Sequence, residues 1–188
     1  MKDRIKLITV VGMAGAGKST AVNYLTENKN LPKIYFGGII YKAMDEAGIE
    51  ITPESQKVFR EEIRAREGND FVIKRALEQV SNLIEAGQRT IVLDGLYTWS
   101  EYRILRRAYP GETTIIAVVA PRQLRYKRLA DRPERPFNEI EAQTRDYSEI
   151  ENMEKGGPIA IADYYLLNDG TEANLFEQID HTLQEMSS

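Results

Sequence analysis

The chain has 188 residues, 42% of them hydrophobic, and a formal net charge of −4; that is one domain's worth of sequence with material for a single sizeable core. Cysteine is absent and histidine occurs once, as His181, which excludes a disulfide framework and a thiol nucleophile and argues against multi-histidine zinc chemistry. The acidic balance gives no expectation of nucleic-acid binding; with no apolar run near the ~20 residues needed to span a bilayer, a cytoplasmic protein without membrane contact is expected.

The first apolar run, Ile5–Val11, hardly alternates, as expected for a strand buried on both faces of a parallel sheet. It leads directly into Gly12-Met13-Ala14-Gly15-Ala16-Gly17-Lys18-Ser19, which meets G-x-x-x-x-G-K-[ST] at every fixed position. Gly12, Gly15 and Gly17 let the backbone turn tightly and bring N–H groups close to phosphates. Lys18 is a cation for the β- and γ-phosphates, and Ser19, with Thr20 beside it, offers a hydroxyl to Mg²⁺. A helix opening at about Lys18, with Ala21, Val22 and Leu25 on its apolar side, aims its positive dipole end at the same anion. The strand–loop–helix context is what a chance match would lack, so ATP with Mg²⁺ is the expected cofactor.

A second run, Lys33–Phe36, is followed by a helical pattern in which Ile73, Leu77, Val80 and Ile84 recur at three- and four-residue intervals. Asn69 is the expected N-cap of that helix and Gly87 lies just past its end. The run Thr90–Leu93 then closes on Asp94-Gly95. An acid ending an apolar strand is the Walker B pattern, and it places Asp94 with Ser19 as candidate Mg²⁺ ligands; a turn aspartate before glycine is the plainer alternative. Tyr97, Trp99 and Tyr102 follow, able either to stack a base or to pack a helix against the sheet.

After the run Thr113–Val119 comes a basic cluster: Arg122, Arg125, Lys127, Arg128, Arg132 and Arg135, with only Asp131 and Glu134 among them. Arginines stabilise a migrating phosphoryl group, and Arg128 and Arg132, one helical turn apart, are expected to face the same way. Several of the six are expected to form a solvated helix face instead. The last strand, Tyr164–Leu167, precedes Thr171 and a helix carrying Leu175, Ile179 and Leu183. Strands alternating with helices indicate an α/β domain whose ligands bind at the C-terminal strand ends.

Together these residues resemble the nucleoside monophosphate kinase-like group of P-loop proteins, and most of all its adenylate-kinase-like and dephospho-CoA-kinase-like small kinases. The likeness is carried by the glycine loop, by F-G-G-I-I-Y at 36–41, by I-V-L-D-G at 91–95, by R-Y-K-R-L-A-D-R at 125–132 and by A-D-Y-Y-L-L-N-D-G at 162–170. It implies a three-layer fold with a five-stranded parallel sheet, one kinase domain over 1–188, acceptor-binding helices over 37–87 and a lid over 121–155. It also implies that Gly12 through Thr20, Ala14 and Ala16 included, hold ATP phosphates and Mg²⁺. Asp94 would serve the metal or the acceptor, and Lys18, Arg128 and Arg132 the transfer itself. The expected partner is a small nucleotide-like acceptor: dephospho-CoA, a nucleoside or a nucleoside monophosphate.

Two departures bear on that acceptor. Where such kinases place phosphate-gripping arginines, this chain has Tyr41 and, after Asp94-Gly95, Tyr97 and Thr98. Losing a bidentate donor weakens a phosphate site unless Arg60, Arg64 or Arg103 replaces it, whereas a hydroxyl acceptor needs a carboxylate such as Asp94 to take its proton. An ATPase or nucleotide-dependent switch shares the loop and Asp94, and an inactive nucleotide-binding module is a third reading. A switch needs no helical insertion for an acceptor, and no N-K-x-D motif for guanine occurs, while the tyrosines at the two arginine positions are what keep the module reading open.

Overall fold

A computed structural model of the chain describes residues 4–96 and 98–187, with the side chains at 53, 54, 57 and 64 outside that description. Five strands, β1 (Lys6–Val11), β2 (Lys33–Tyr35), β3 (Thr90–Asp94), β4 (Thr113–Val119) and β5 (Tyr164–Leu167), form one sheet in the order β2-β3-β1-β4-β5. Every pairing is parallel, so each connection must cross over a face of the sheet, and helices supply the crossovers. The expected strands all form, with ends shifted by a residue at most: Phe36 opens a helix instead of closing β2, and Asp94 extends β3.

The helices fall on two faces. α1 (Lys18–Asn23), continued by a π-helical turn at Tyr24–Asn28, and α9 (Glu172–Glu185) cover one, packing Ala21, Val22, Leu25, Leu175 and Ile179 against Ile8, Val10, Ile116 and Val118. α2 (Phe36–Glu46), α3 (Pro53–Glu67), α4 (Phe71–Glu85) and α5 (Trp99–Ala108) cover the other, burying Phe36, Met44, Ile63, Ile73, Val80 and Leu105 on Leu7, Ile34, Ile91 and Ile115. Alternate strand residues thus feed different cores, the reason the runs read as continuously apolar. Complete burial of each such Leu or Ile side chain favours the fold by about 1.5–3 kcal/mol before entropy is counted.

Local chemistry sets the helix boundaries. α9 starts in a capping box in which Thr171 accepts from the backbone of Asn174 and Asn174 reaches back, and α5 starts in another, built from Thr98 and Glu101. α4 begins one residue later than expected: Asp70, not Asn69, is its N-cap, and it makes no side-chain cap bond. Gly87, with φ of +92°, stops that helix where the sequence placed the stop. α6 (Arg122–Ala130), α7 (Glu139–Glu151) and the short α8 (Gly156–Ala160) fill the β4–β5 connection. No described helix is long and apolar enough to cross a membrane.

Candidate active site

The register of the sheet brings the motifs together. Val10 of β1 pairs with Asp94 of β3, and Tyr35 of β2 pairs with Asp94 from the other side. The glycine loop leaves β1 immediately after this pair, so loop, carboxylate and Tyr35 share one edge. A groove of about 830 Å³ opens there, lined by Ala14, Gly15, Gly17, Lys18, Ser19 and Thr20 from the loop and α1, and by Lys33, Tyr35 and Asp94 from β2 and β3. Its remaining lining is Asn23 of α1, and Arg128, Arg132, Glu134, Arg135, Phe137, Arg145, Glu149 and Lys155 from the α6–α8 segment.

Of the expected loop residues, Gly12 and Ala16 do not line the groove; both are buried. Their work is backbone geometry. A Cβ on Gly12 would run into the carbonyl oxygen of Val118, and one on Gly17, at φ of +102°, into the Asn168 amide, so only glycine fits at either place. Ala16 N–H donates to Met13 O at 3.1 Å and Ala16 O accepts from Asn168 Nδ2 at 2.8 Å.

Two long-range clamps hold the loop. Asn168, at the end of β5, donates to Ala16 O and receives Arg128 Nη1 on its own carbonyl at 3.0 Å. Arg125 donates to Ala14 O at 2.9 Å while forming a bidentate pair with Asp146 at 2.8 and 2.6 Å. Arg125 and Asp146 are both buried, so this arginine of the basic cluster is structural and the two-tooth geometry fixes α7 over the loop.

Arg128 and Arg132 both reach the groove, but not as neighbours on one helix face. α6 ends at Ala130, and Pro133 disfavours helical backbone at Arg132, so the spacing argument for that pair is corrected: Arg132 arrives from the exposed turn after the helix. Trp99 and Tyr102 stack on each other with centroids 5.1 Å apart, and a Cβ on Gly157 would press on the Trp99 ring at 2.8 Å. Neither aromatic lines the groove; both pack α5 beside α8. Tyr97 lies outside the described residues, as does the Arg64 side chain. Tyr41 sits with its ring centroid 6.5 Å from that of Tyr35, and Arg60 is near enough for its charge to act on the Tyr35 hydroxyl. Arg103 is exposed on α5.

The electrostatics are those of an anion site. Seven cations (Lys18, Lys33, Arg128, Arg132, Arg135, Arg145, Lys155) face three carboxylates (Asp94, Glu134, Glu149). Burial, then Lys155, and more weakly Arg132, lower the Lys18 pKa to about 7, against the opposing pull of Glu149 and Asp94. Lys18 as a whole residue is partly exposed, and its Nζ donates to Met13 O at 3.1 Å. Burial raises the Asp94 pKa, partly offset by Lys33 and Lys18. No described cluster of three or more His, Asp or Glu could hold a metal alone; Ser19 and Asp94, both on the groove, suit a Mg²⁺ that keeps waters and takes phosphate oxygens as further ligands.

Nothing in the sequence singles out Lys33, Tyr35, Arg145, Glu149, Lys155 or Asn168 as individual site residues. Only Asn168 stood inside a quoted motif, the N-D-G that closes the last strand.

The family described as "AAA domain" matches residues 8–156 of the chain. Among individual proteins, the chain is similar to a UPF0200 protein of Thermococcus kodakarensis, 31% identical over 97% of this chain and 98% of that one. Among solved structures it is similar to shikimate kinase from Bacteroides thetaiotaomicron, at a TM-score of 0.61 and 12% identity over 97% and 99% of the two chains. It is also similar to dephospho-CoA kinase from Campylobacter jejuni, at 0.58 and 18% over 96% and 97%. The fold is therefore that of the small P-loop kinases.

Proposed function

The chain belongs to the AAA-domain family and is a relative of the UPF0200 proteins, and on that premise we propose that it is an ATP- and Mg²⁺-dependent phosphotransferase acting on a small nucleotide-like acceptor. The observation that carries this reading is the groove itself, in which the glycine loop, Lys18, Ser19 and Asp94 converge opposite the arginines of the α6–α8 segment. That the loop takes an anion has direct support: Ala14 N–H donates to a carboxylate oxygen of Glu149 at 3.0 Å.

In this reading the loop amides and the dipole end of α1 bind and orient the triphosphate tail. Lys18, with Arg128 and Arg132, stabilises charge on the migrating phosphoryl group. Mg²⁺, held by Ser19 and Asp94, would supply charge neutralisation across the β- and γ-phosphates. Asp94 is also the carboxylate placed to take the proton of the acceptor hydroxyl. The acceptor lies toward β2 and α2, where Lys33, Tyr35, Tyr41 and Arg60 gather; of Arg60 and Arg103, whose side chains are described, Arg60 is the one near Tyr35. Helices α2–α4, between β2 and β3, form the acceptor-binding insertion over 37–87, and residues 121–155 form the lid whose closure excludes water, the competing nucleophile. An insertion of this kind favours transfer to a small molecule over an ATPase or switch.

The test is incubation with γ-labelled ATP, Mg²⁺ and separate pools of nucleosides, nucleotides and dephospho-CoA. A labelled product should form, and Lys18→Ala should lower its rate by about 10²–10³-fold, the loss typical of one preorganised donor. Transfer at an undiminished rate by that variant, or label appearing only as free phosphate, would refute the proposal.

A further inference from the structure

Two buried charges in the groove have no part in the scheme above. Glu149, in the last turn of α7, and Lys155, before α8, are each 2% exposed. Their side chains pair at 3.0 Å, and Lys155 N–H donates to Glu149 O at 3.0 Å, closing the short loop that carries both. Glu149 Oε1 also accepts from Arg145 Nε at 3.1 Å. Its other oxygen, Oε2, accepts from Ala14 N–H of the glycine loop. One carboxylate is therefore held by a phosphate-loop amide and two cations, and Lys18 lies within electrostatic reach of both Glu149 and Lys155.

An amide of a glycine loop flanked by cations is what a phosphate oxygen requires. The same donors cannot serve two anions at once, since like charges a few ångströms apart in a half-buried site repel strongly. A triphosphate tail on the loop must then displace Glu149. Its departure takes a carboxylate partner from buried Lys155 and from the more exposed Arg145, a cost that the incoming phosphate offsets by taking the carboxylate's place. The geometry points to Glu149 as a displaceable stand-in for phosphate: it ties the α7–α8 segment to the glycine loop, and the nucleotide's terminal phosphate expels it, inheriting Ala14 N–H, Lys155 and Arg145. Lys155 becomes a phosphate-binding residue by this exchange. The inference rests on the reading of the groove as a triphosphate site.

Calorimetric titration with MgATP of the parent chain and of Glu149→Gln, Lys155→Met and Lys18→Ala separates the two ideas. Glu149→Gln keeps an acceptor for Ala14 but removes the competing charge, and should bind MgATP at least about fivefold more tightly; Lys155→Met should bind at least about fivefold more weakly. Unchanged or weaker binding by a folded Glu149→Gln chain overturns the exchange, even where the parent binds and Lys18→Ala does not. No binding by the parent overturns the triphosphate site and this inference with it. Should Glu149→Gln fail to fold, the parent still decides: the ¹³C resonance of the Glu149 carboxyl must move as MgATP saturates the site. A carboxyl resonance that stays in place refutes displacement.

Discussion

Lys18 offers the most quantitative test of the site. In the groove its pKa is lowered to about 7 by burial and by Lys155, so at pH 8 only about a tenth of the chains carry a charged Lys18. A triphosphate beside it favours the ammonium and returns the pKa toward its ordinary range. The sign follows: a base whose pKa rises on binding takes up a proton, and affinity falls as pH rises above the free-state pKa. Uptake should be about 0.9 proton per nucleotide at pH 8 and about 0.1 at pH 6. The dissociation constant should then rise about fivefold from pH 7 to 8 and about ninefold from 8 to 9 by the same linkage. The last phosphate ionisation, near pH 6, is complete at pH 8 and contributes little. The assay is calorimetric titration with MgATP at pH 8 in HEPES and in Tris, whose ionisation enthalpies differ; phosphate is avoided as a competing ligand. Saturable binding with heats independent of buffer would refute the reasoning, as would an uptake that Lys18→Met leaves intact.

Three further perturbations probe different links. Arg125→Met removes the partner of buried Asp146 and a donor to the loop; unfolding stability should fall by about 3–5 kcal/mol, read from the urea midpoint, and an unmoved midpoint would contradict a structural arginine. Gly17→Ala demands φ of +102° from a residue with a Cβ that meets the Asn168 amide. That variant should lose MgATP binding while keeping its far-ultraviolet circular dichroism, and binding at parental affinity would show the loop to be more tolerant than its packing implies. Asp94→Asn should lower kcat by about 10²–10⁴-fold, the range of a general base. If excess Mg²⁺ restores the rate, Asp94 serves only the metal; if no Mg²⁺ concentration does, the proton-transfer role stands.

Where the sequence was legible, a local rule was enough. β1, β3 and β4 are buried on both faces, so their apolar runs are unbroken, and Gly87 and Thr171 punctuate α4 and α9 by chemistry that acts over a few residues. Asp94 was legible for a related reason, since a strand's C-terminal end is on the ligand edge whatever the order of strands. The π-helical turn after α1 had no such signature, and the helical placement of Arg132 failed because Pro133 acts on the residue before it. The groove's other half was hidden by distance along the chain. Ala14 meets Glu149 across 135 residues and Arg125 across 111, and neither partner is distinguished in sequence from the acidic and basic residues around it. What separates Arg125 from Arg128 is burial and a bidentate partner, both properties of the packed α6–α7 pair.

The clamps on the loop differ in kind, and the difference bears on how such a site works. Arg125 and Asn168 grip carbonyl oxygens, Ala14 O and Ala16 O. Carbonyls point away from an anion that the amides face, so these bonds persist when phosphate arrives and keep the amides aimed. Glu149 grips an amide, Ala14 N–H, and competes with phosphate for it. The first kind preorganises the loop, and preorganised donors need no rearrangement as charge develops on the migrating group. The second kind makes the position of the α7–α8 segment depend on whether an anion is present. A transferase needs both properties: a rigid cradle under the phosphates, and a cover that answers to their arrival and so limits access of water. Cutting the rigid clamps should therefore weaken stability and nucleotide binding together, whereas neutralising Glu149 should move them in opposite directions.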